Sequence, residues 1–301
     1  MASEVSVCIA THRRPEGLER LLTSLVDQKD APFFDVIVVD NDAGRSGERV
    51  AVQFQDRLRL SYLVEPVRGL ARTRNRGVAA ARTPFIAFID DDEWASPEWL
   101  AKLTQRANRS GADAVIGPVE RIFAEDVPEY IRTCGAFDNL LGADGTIVPW
   151  YAARTGNAFI RRDALPDQHA PFSTRFDFTG GEDTNLFRQM IDGGALIVAA
   201  RDAVVFEYRP LNRANLRWVV RRALRNGGTS ADLEGGRCDR KTKVRRVHTA
   251  IKAAMREGVR VSTFWKRDRS TAVRHLVRAC VEFGKILHFA GIRIEEYRRH
   301  R

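Results

Sequence analysis

Asp90, Asp91, Asp92 and Glu93 follow one another directly after the apolar run Phe85–Ile89. Four adjacent carboxylates repel one another unless positive charge sits among them. A helix start gains ~0.3–1 kcal/mol from one or two acids, but not from four. A divalent cation accounts for the cluster better, because Mg2+ or Mn2+ takes hard oxygen ligands and keeps places for substrate phosphates. The competing account is a capped turn whose acids are simply solvated. Two other polar groups leave apolar runs in the same way, "THRR" after Val5–Ala10 and "DND" after Phe34–Val39.

Bringing such groups together requires strands that end side by side. "VSVCIAT" (Val5 to Thr11) is a short β-rich run, and "FDVIVVDNDAG" (Phe34 to Gly44) is a second strand stopping at a carboxylate and a Gly-containing loop. "LRLSYLVEP", "FIAFID" and "ADAVIGPVE" read as a third, fourth and fifth strand. Between them, "EGLERLLTSLV" sets Leu18, Leu21, Leu22 and Leu25 at helical spacing, and "RGLARTRNRGVAAARTP" is an Ala-rich helix stopped before Pro84. "SPEWLAKLTQRANRSG" predicts a helix with Ser96 as N-cap, Pro97 at the first helical position and Gly111 past the end. Apolar runs alternating with helices predict a mostly parallel α/β sheet covered on both faces. Such sheets bind ligands at the carboxyl ends of their strands, which is where "THRR", "DND" and "DDDE" fall. Residues 121–177 are irregular, with Gly, Pro and aromatics, and predict long loops around a site. "GEDTNLFRQMIDGG" predicts a helix from about Glu182, closed by Gly193 and Gly194, and "ALIVAARDAVVFEY" adds two more strands.

With 301 residues, 44% of them hydrophobic, the chain can bury at least one full core. Cys8, Cys134, Cys238 and Cys280 are scattered and form no CxxC pair, which argues against a zinc site or disulfide framework and for a reducing compartment. The N-terminal stretch turns basic too soon for a signal peptide, and no segment approaches the ~20 apolar residues of a membrane span. The expected location is cytoplasmic, peripheral at most on the inner face of the plasma membrane. Charge is uneven: residues 201–301 hold 26 Lys+Arg against 10 Asp+Glu, whereas residues 1–200 hold 23 against 29. A basic tail on an acidic body predicts attraction to an anionic surface, lipid or nucleic acid, with a solvated helical face as the alternative. Arg213, Arg217, Arg221 and Arg225 form one cationic stripe at helical spacing. Farther on, Val273, Leu276, Val277, Cys280, Phe283, Ile286 and Leu287 share one face of a basic helix that could lie on an anionic bilayer or pack on the body.

Taken in order, "VSVCIATHRRPEGLERLLTSL", "VIVVDNDAG", "GLARTRNRGVAAA", "FIAFIDDDEWASPEWLAKL", "TGNAFIRRDAL" and "GGEDTNLFRQM" resemble the inverting family-2 glycosyltransferases, bacterial exopolysaccharide (succinoglycan-type) glucosyltransferases above all. The resemblance covers roughly residues 4–210 and implies the GT-A fold, a Rossmann-like nucleotide-sugar-binding sheet. Residues 1–210 would be the catalytic domain and residues 211–301 a basic helical extension. It further implies metal-dependent transfer of a sugar from a nucleotide sugar, UDP-glucose or another UDP-hexose, to a carbohydrate or lipid-linked oligosaccharide.

The same resemblance assigns roles. Thr11, His12 and Arg13 would hold the nucleotide base, and Asp40 and Asn41 would contact uracil and ribose, although many members carry a second Asp where this chain has Asn41. Arg74 and Asn75 would lie beside the donor, where a guanidinium can neutralise a diphosphate through forked hydrogen bonds. Asp92 would ligate Mg2+ or Mn2+, Asp90 would reach ribose or metal-bound water, and Asp91 would orient the donor sugar. Inverting displacement needs a base for the acceptor hydroxyl. Asp183 matches it, with Glu182 supporting, although a plain helix-start charge effect also accounts for this pair. Relatives often complete the metal site with a His where this chain has Phe206, beside Glu207.

Two other classes answer to parts of the sequence. A metal-dependent nucleotidyltransferase would use the acids, but no Gly-rich, Lys-containing phosphate loop lies near the N-terminus. A nucleic-acid-binding protein would use the basic tail and leave "DDDE" and "GGED" idle, so no nucleic-acid partner is expected.

Overall fold

A computed structural model describes residues 3–235 and 239–295, and Cys238 lies outside them. Among the described residues the strands are β1 (Val5–Thr11), β2 (Phe34–Asp40), β3 (Leu60–Val64), β4 (Phe85–Ile89), β5 (Glu93–Ala95), β6 (Ala114–Ile116), β7 (Val119–Phe123), β8 (Asn157–Arg161), β9 (Ile197–Ala199) and β10 (Val205–Arg209). The helices are α1 (Pro15–Val26), α2 (Glu48–Phe54), α3 (Leu70–Ala80), α4 (Trp99–Ser110), α5 (Glu129–Arg132), α6 (Glu182–Asp192), α7 (Leu216–Gly235), α8 (Arg240–Phe264) and α9 (Arg269–Phe289). They fall into two compact units. The first comprises Met1–Glu120, Asn139–Asp177 and Glu182–Glu207, and the second Arg121–Asp138, Phe178–Gly181 and Tyr208–Arg301.

In the first unit a seven-stranded sheet has the order β3-β2-β1-β4-β8-β6-β9. Strands β1–β4 pair parallel, as do β6 and β9, while β8 runs antiparallel to both its neighbours. Alternation along a strand sends successive side chains to opposite faces. Val5, Val7 and Ile9 of β1 therefore meet Leu18, Leu21, Leu22 and Leu25 of α1 and Leu100 and Leu103 of α4. Cys8 joins Ala71 and Val78 of α3 and Leu186, Phe187 and Met190 of α6 on the other face. Two apolar faces each covered by helices explain why the strands read as nearly continuous hydrophobic runs.

Three local expectations change. The helix expected from Ser96 begins at Trp99, and Gln28 performs the capping instead: its Oε1 accepts from Leu100 N (3.0 Å) while its Nε2 donates to Ser96 O (2.8 Å). The fifth strand is split into β6 and β7 at Gly117–Pro118, where Asn157 Nδ2 donates to the carbonyls of Pro118 and Ala203. Glu93 belongs to a short strand, β5, paired antiparallel with β10.

In the second unit, α9 packs against both α7 and α8. Val127, Ile131, Cys134, Phe137, Ala214, Val219 and Val273 form its buried core. Trp218 stacks on Phe137 with ring centroids 5.6 Å apart, and Arg209 and Arg222 lie over its ring. Trp218 thus packs inside the unit, whereas its neighbour Arg217 in the cationic stripe is exposed.

One glycine in the first unit fixes how closely the acidic turn can be approached. Gly17, in the first turn of α1, lies so near that turn that a Cβ would overlap the Asp91 carbonyl oxygen. Gly17→Ala should cost about 1–3 kcal/mol, the usual penalty of overpacking against backbone. Gly258→Ala in α8, where a Cβ meets nothing within 4 Å, should be neutral or gain roughly 0.5–1 kcal/mol. Urea unfolding of both variants checks this, and equal effects would show that α1 does not press on the turn.

Candidate functional site

Parallel register gathers the polar strand ends. Thr11 stands opposite Asp40, and Val5–Cys8 stand opposite Phe85–Phe88, so the residues after Ile89 emerge next to Thr11. At this edge Asp91 turns inward and is buried. Its Oδ2 accepts from Thr11 Oγ1 (2.9 Å) and His12 N (3.4 Å), and its Oδ1 accepts from Arg14 Nη1 (2.7 Å). The same Arg14 nitrogen donates to Asp92 Oδ2 at 3.1 Å. Burial pushes the Asp91 carboxyl up to about 6, and Arg14 opposes that rise while Asp92 adds to it. Arg14 is the residue that sequence reasoning missed. The available signal was its place beside Arg13 at a strand end, facing four carboxylates.

Consecutive arginines take different partners here. Arg13 has φ +54°, in the left-handed region, and its exposed side chain donates to Asp42 Oδ1 at 3.2 Å. Arg14, one residue on, reaches the acidic turn.

Arg74 of α3 provides the second cation. Its Nη2 donates to Asp90 Oδ1 at 2.8 Å and its Nη1 to Glu182 Oε1. Burial works against its charged form, but Asp90, Glu182 and Asp183 outweigh burial and raise its pKa above the ordinary arginine value. Glu182 is buried in this pair, whereas Asp183 is half-exposed in the same first turn of α6, its Oδ1 accepting from Thr184 N at 2.7 Å. The two preceding glycines, Gly180 and Gly181, have φ +72° and +102°, a conformation that side-chain-bearing residues rarely adopt. They are what lets "GGED" turn sharply into the helix.

Several residues expected at the donor also shape the loops. Asp40 is fully buried, and its Oδ2 accepts from Gly47 N and Tyr62 OH, both at 2.7 Å, while its Oδ1 accepts from Asp42 N. Asn41 donates to the carbonyls of Glu65 and Val67 and accepts from Gly69 N, each at 2.9 Å. An aspartate could not make both donations, which explains the amide at this position. Asn75 clamps Phe172 through its backbone N and O. His12 Nδ1 lies 2.9 Å from the Asn41 carbonyl, which can only accept, so the proton is on Nδ1.

The metal set is narrower than four acids. Glu93 is buried opposite Glu207 and accepts from Asp90 N at 3.0 Å. Burial first, then Asp90, Glu207 and Asp92, hold its carboxyl well above the usual carboxylate range. Phe206 pairs with Trp94 and stacks on it at 5.7 Å, so alternation turns it to the face away from Glu93 and Glu207. Among the described residues no group of three or more His, Cys, Asp or Glu could hold a metal ion. Asp90 and Asp92, with side chains 41% and 22% exposed, remain open to solvent. Two accessible carboxylates fit a Mg2+ or Mn2+ ion that takes its other ligands from water and substrate phosphate.

Comparison with known proteins agrees with this architecture. The Glycosyl transferase family 2 profile matches residues 6–174. The succinoglycan biosynthesis protein ExoM of Rhizobium meliloti is 33% identical over 76% of this chain and 74% of its own length. The glycosyltransferase AglE of Haloferax volcanii is 26% identical over 66% of this chain and 65% of its own. Residues 1–349 of S. aureus TarS, solved in complex with UDP, superpose with a TM-score of 0.56 at 15% identity, covering 96% of this chain and 92% of that one. The chain belongs to glycosyl transferase family 2 and has its GT-A fold.

The Asp91 shift has a measurable sign. A free aspartate titrates near 3.9, so between that value and about 6 the folded chain holds a proton that the unfolded chain has lost. The stability contributed by this group is full below about pH 4 and is lost as pH rises through 6. Asp91→Asn removes this titration, so its melting temperature relative to the native chain should rise between about pH 4.5 and about pH 7.5, whatever the constant offset from the lost Arg14 and Thr11 contacts. Thermal melts at both values test this, and equal margins would contradict the burial of Asp91.

Proposed function

We propose that this chain transfers a hexose with inversion from a UDP-sugar to a carbohydrate or lipid-linked carbohydrate in exopolysaccharide or cell-surface glycan synthesis. The observation that carries the reading is Arg74, which ties Asp90 of the acidic turn to Glu182 of α6. That bridge brings the donor motif and the start of α6 into one site. It also occupies Glu182, leaving Asp183 as the solvent-accessible acid of the pair. ExoM supports the exopolysaccharide setting, and TarS 1–349, solved with UDP and with UDP-GlcNAc, supports the uridine donor.

In this mechanism Asp183 takes the proton of the acceptor hydroxyl as that oxygen attacks the anomeric carbon. Glu182 accepts from Arg74 and holds the helix start in place. Asp90 and Asp92 would hold Mg2+ or Mn2+, whose chemistry is Lewis-acid neutralisation of the departing nucleoside diphosphate. Arg14 and Arg74 keep the acidic turn compact before donor arrives. Asp40 and Asn41 act by fixing the loop that faces the base, while His12 and Arg13 offer the more accessible side chains there.

Asp183→Asn keeps the shape of the site but cannot take the proton. Transfer should fall by at least about two orders of magnitude, with UDP-sugar affinity nearly unchanged. Near-normal turnover in that variant, with Glu182→Gln inactive and still folded, would move the base to Glu182. Both remaining active would end the proposal.

Metal and donor should bind together, since protein ligands alone do not complete a site. Calorimetry should show weak Mn2+ binding to the free chain and strong binding with UDP, with Asp92→Asn abolishing the enhancement. Tight Mn2+ binding without nucleotide, unaffected by Asp92→Asn, would overturn the assignment.

A further inference from the structure

Among the described residues of the basic tail, packing leaves a helix face exposed, and it is not on the helix that the sequence pattern pointed to. On α9, Val273 is buried and Leu276, Val277, Cys280, Ile286 and Leu287 are half-buried, leaving Phe283 exposed. That apolar face is spent on packing within the second unit, since α9 packs against α7 and α8. The outer face of α8 differs. Val244, Ile251, Met255 and Val259 recur at helical spacing along one line, and they are 62%, 41%, 68% and 68% exposed. At 1.5 Å per residue the line runs for about 22 Å.

The charges around that line are one-sided. Between Arg240 and Phe264 the sequence holds eight Lys and Arg and a single acid, Glu257. Glu257 is buried, its Oε2 2.7 Å from His275 Nδ1 of α9 and its Oε1 3.1 Å from Arg260 Nη1. The outer face is therefore free of carboxylates, and Lys241, Arg245, Lys252 and Arg256, all exposed, flank the apolar line on one side. Trp265, 42% exposed, stands at its end.

We propose that this face of α8 docks on an anionic lipid bilayer, the apolar line entering the interfacial region and the flanking cations meeting lipid headgroups. The partner follows from the pairing of chemistries. A nucleic acid would satisfy the cations but offers no apolar surface to four exposed aliphatic side chains. A second copy of this chain would set like charges against each other. A bilayer interface supplies both an apolar layer and negative charge, which is the setting for a helix of this composition. No helix among the described residues is long and apolar enough to cross a membrane, so α8 would lie in the surface. This inference stands on the exposed face alone and is independent of donor, acceptor and metal.

The test is co-sedimentation of the full chain with vesicles of equal parts phosphatidylglycerol and phosphatidylcholine, beside vesicles of phosphatidylcholine alone. The native chain should bind the anionic vesicles, weakly or not at all the neutral ones, and less as salt is raised. Each cation near an anionic surface strengthens adsorption roughly fivefold, so Lys241→Glu/Arg245→Glu/Lys252→Glu should lower partitioning by at least about tenfold. Ile251→Asp/Met255→Asp should lower it comparably with every cation retained. Arg278→Glu, an exposed charge change on α9, should have little effect. Unchanged melting temperatures and UDP binding would show the variants folded. Native-like vesicle binding by either α8 variant, or an equal loss in Arg278→Glu, would overturn the proposal. So would double-stranded DNA binding that the α8 charge variant abolishes in a chain that ignores vesicles.

Discussion

Carboxylates taken out of water need a partner charge, and in this chain two arginines provide it to one short turn. Moving an ion into a protein interior costs several kcal/mol even after relaxation, and losing one partner of a buried pair costs about 3–5 kcal/mol. Asp91 is therefore tied to Arg14, and Glu182 to Arg74, which also reaches Asp90. The two guanidiniums differ in surroundings: the Arg14 side chain is 38% exposed and that of Arg74 6%. Water weakens the first contact more than the second. The turn is thus firmly held on its Asp90 side and more loosely on its Asp92 side, where a cation and phosphate are proposed to arrive.

Everything that positions those arginines traces back to the parallel half of the sheet. Thr11, His12 and Arg14 leave β1 between the ends of β2 and β4, because β1 lies between those strands. Arg74 comes from α3, which covers the opposite face from α1. Loop hydrogen bonds then lock the rim: Asp40 and Asn41 direct polar atoms to backbone groups and Tyr62, which fixes loop shape. The antiparallel pair β5 and β10 buries Glu93 and Glu207 beneath the turn and sends Phe206 outward against Trp94.

Charge is handled differently in the second unit. Aromatic rings and guanidiniums interleave around Trp218, which lets arginines pack their flat faces on apolar surface instead of staying fully solvated. Where α8 has only one acid, that acid is drawn inward by His275 and Arg260, leaving positive charge to accumulate outside.

Much of this was legible in the residues themselves. Strand and helix alternation, the Leu18–Leu25 stripe, Gly111 ending α4 and the ordered motifs of family 2 are local patterns, and local sterics and periodicity determine them. The sequence also showed that carboxylates and arginines would gather at the strand ends. Which acid meets which cation it could not show. Arg14 and Asp91 are 77 residues apart, and Arg74 and Glu182 are 108 apart. Their meeting depends on strand order, and periodicity carries no information about strand order. For the same reason Gln28 displaced Ser96 as the cap of α4, Asn157 stabilised the break at Gly117–Pro118, and the apolar face of α9 was largely spent on packing while that of α8 was left exposed. Intrinsic preference is worth tenths of a kcal/mol to about one per residue. Burying or stranding a charge or polar group costs several times that, so where the two conflict the tertiary contact prevails.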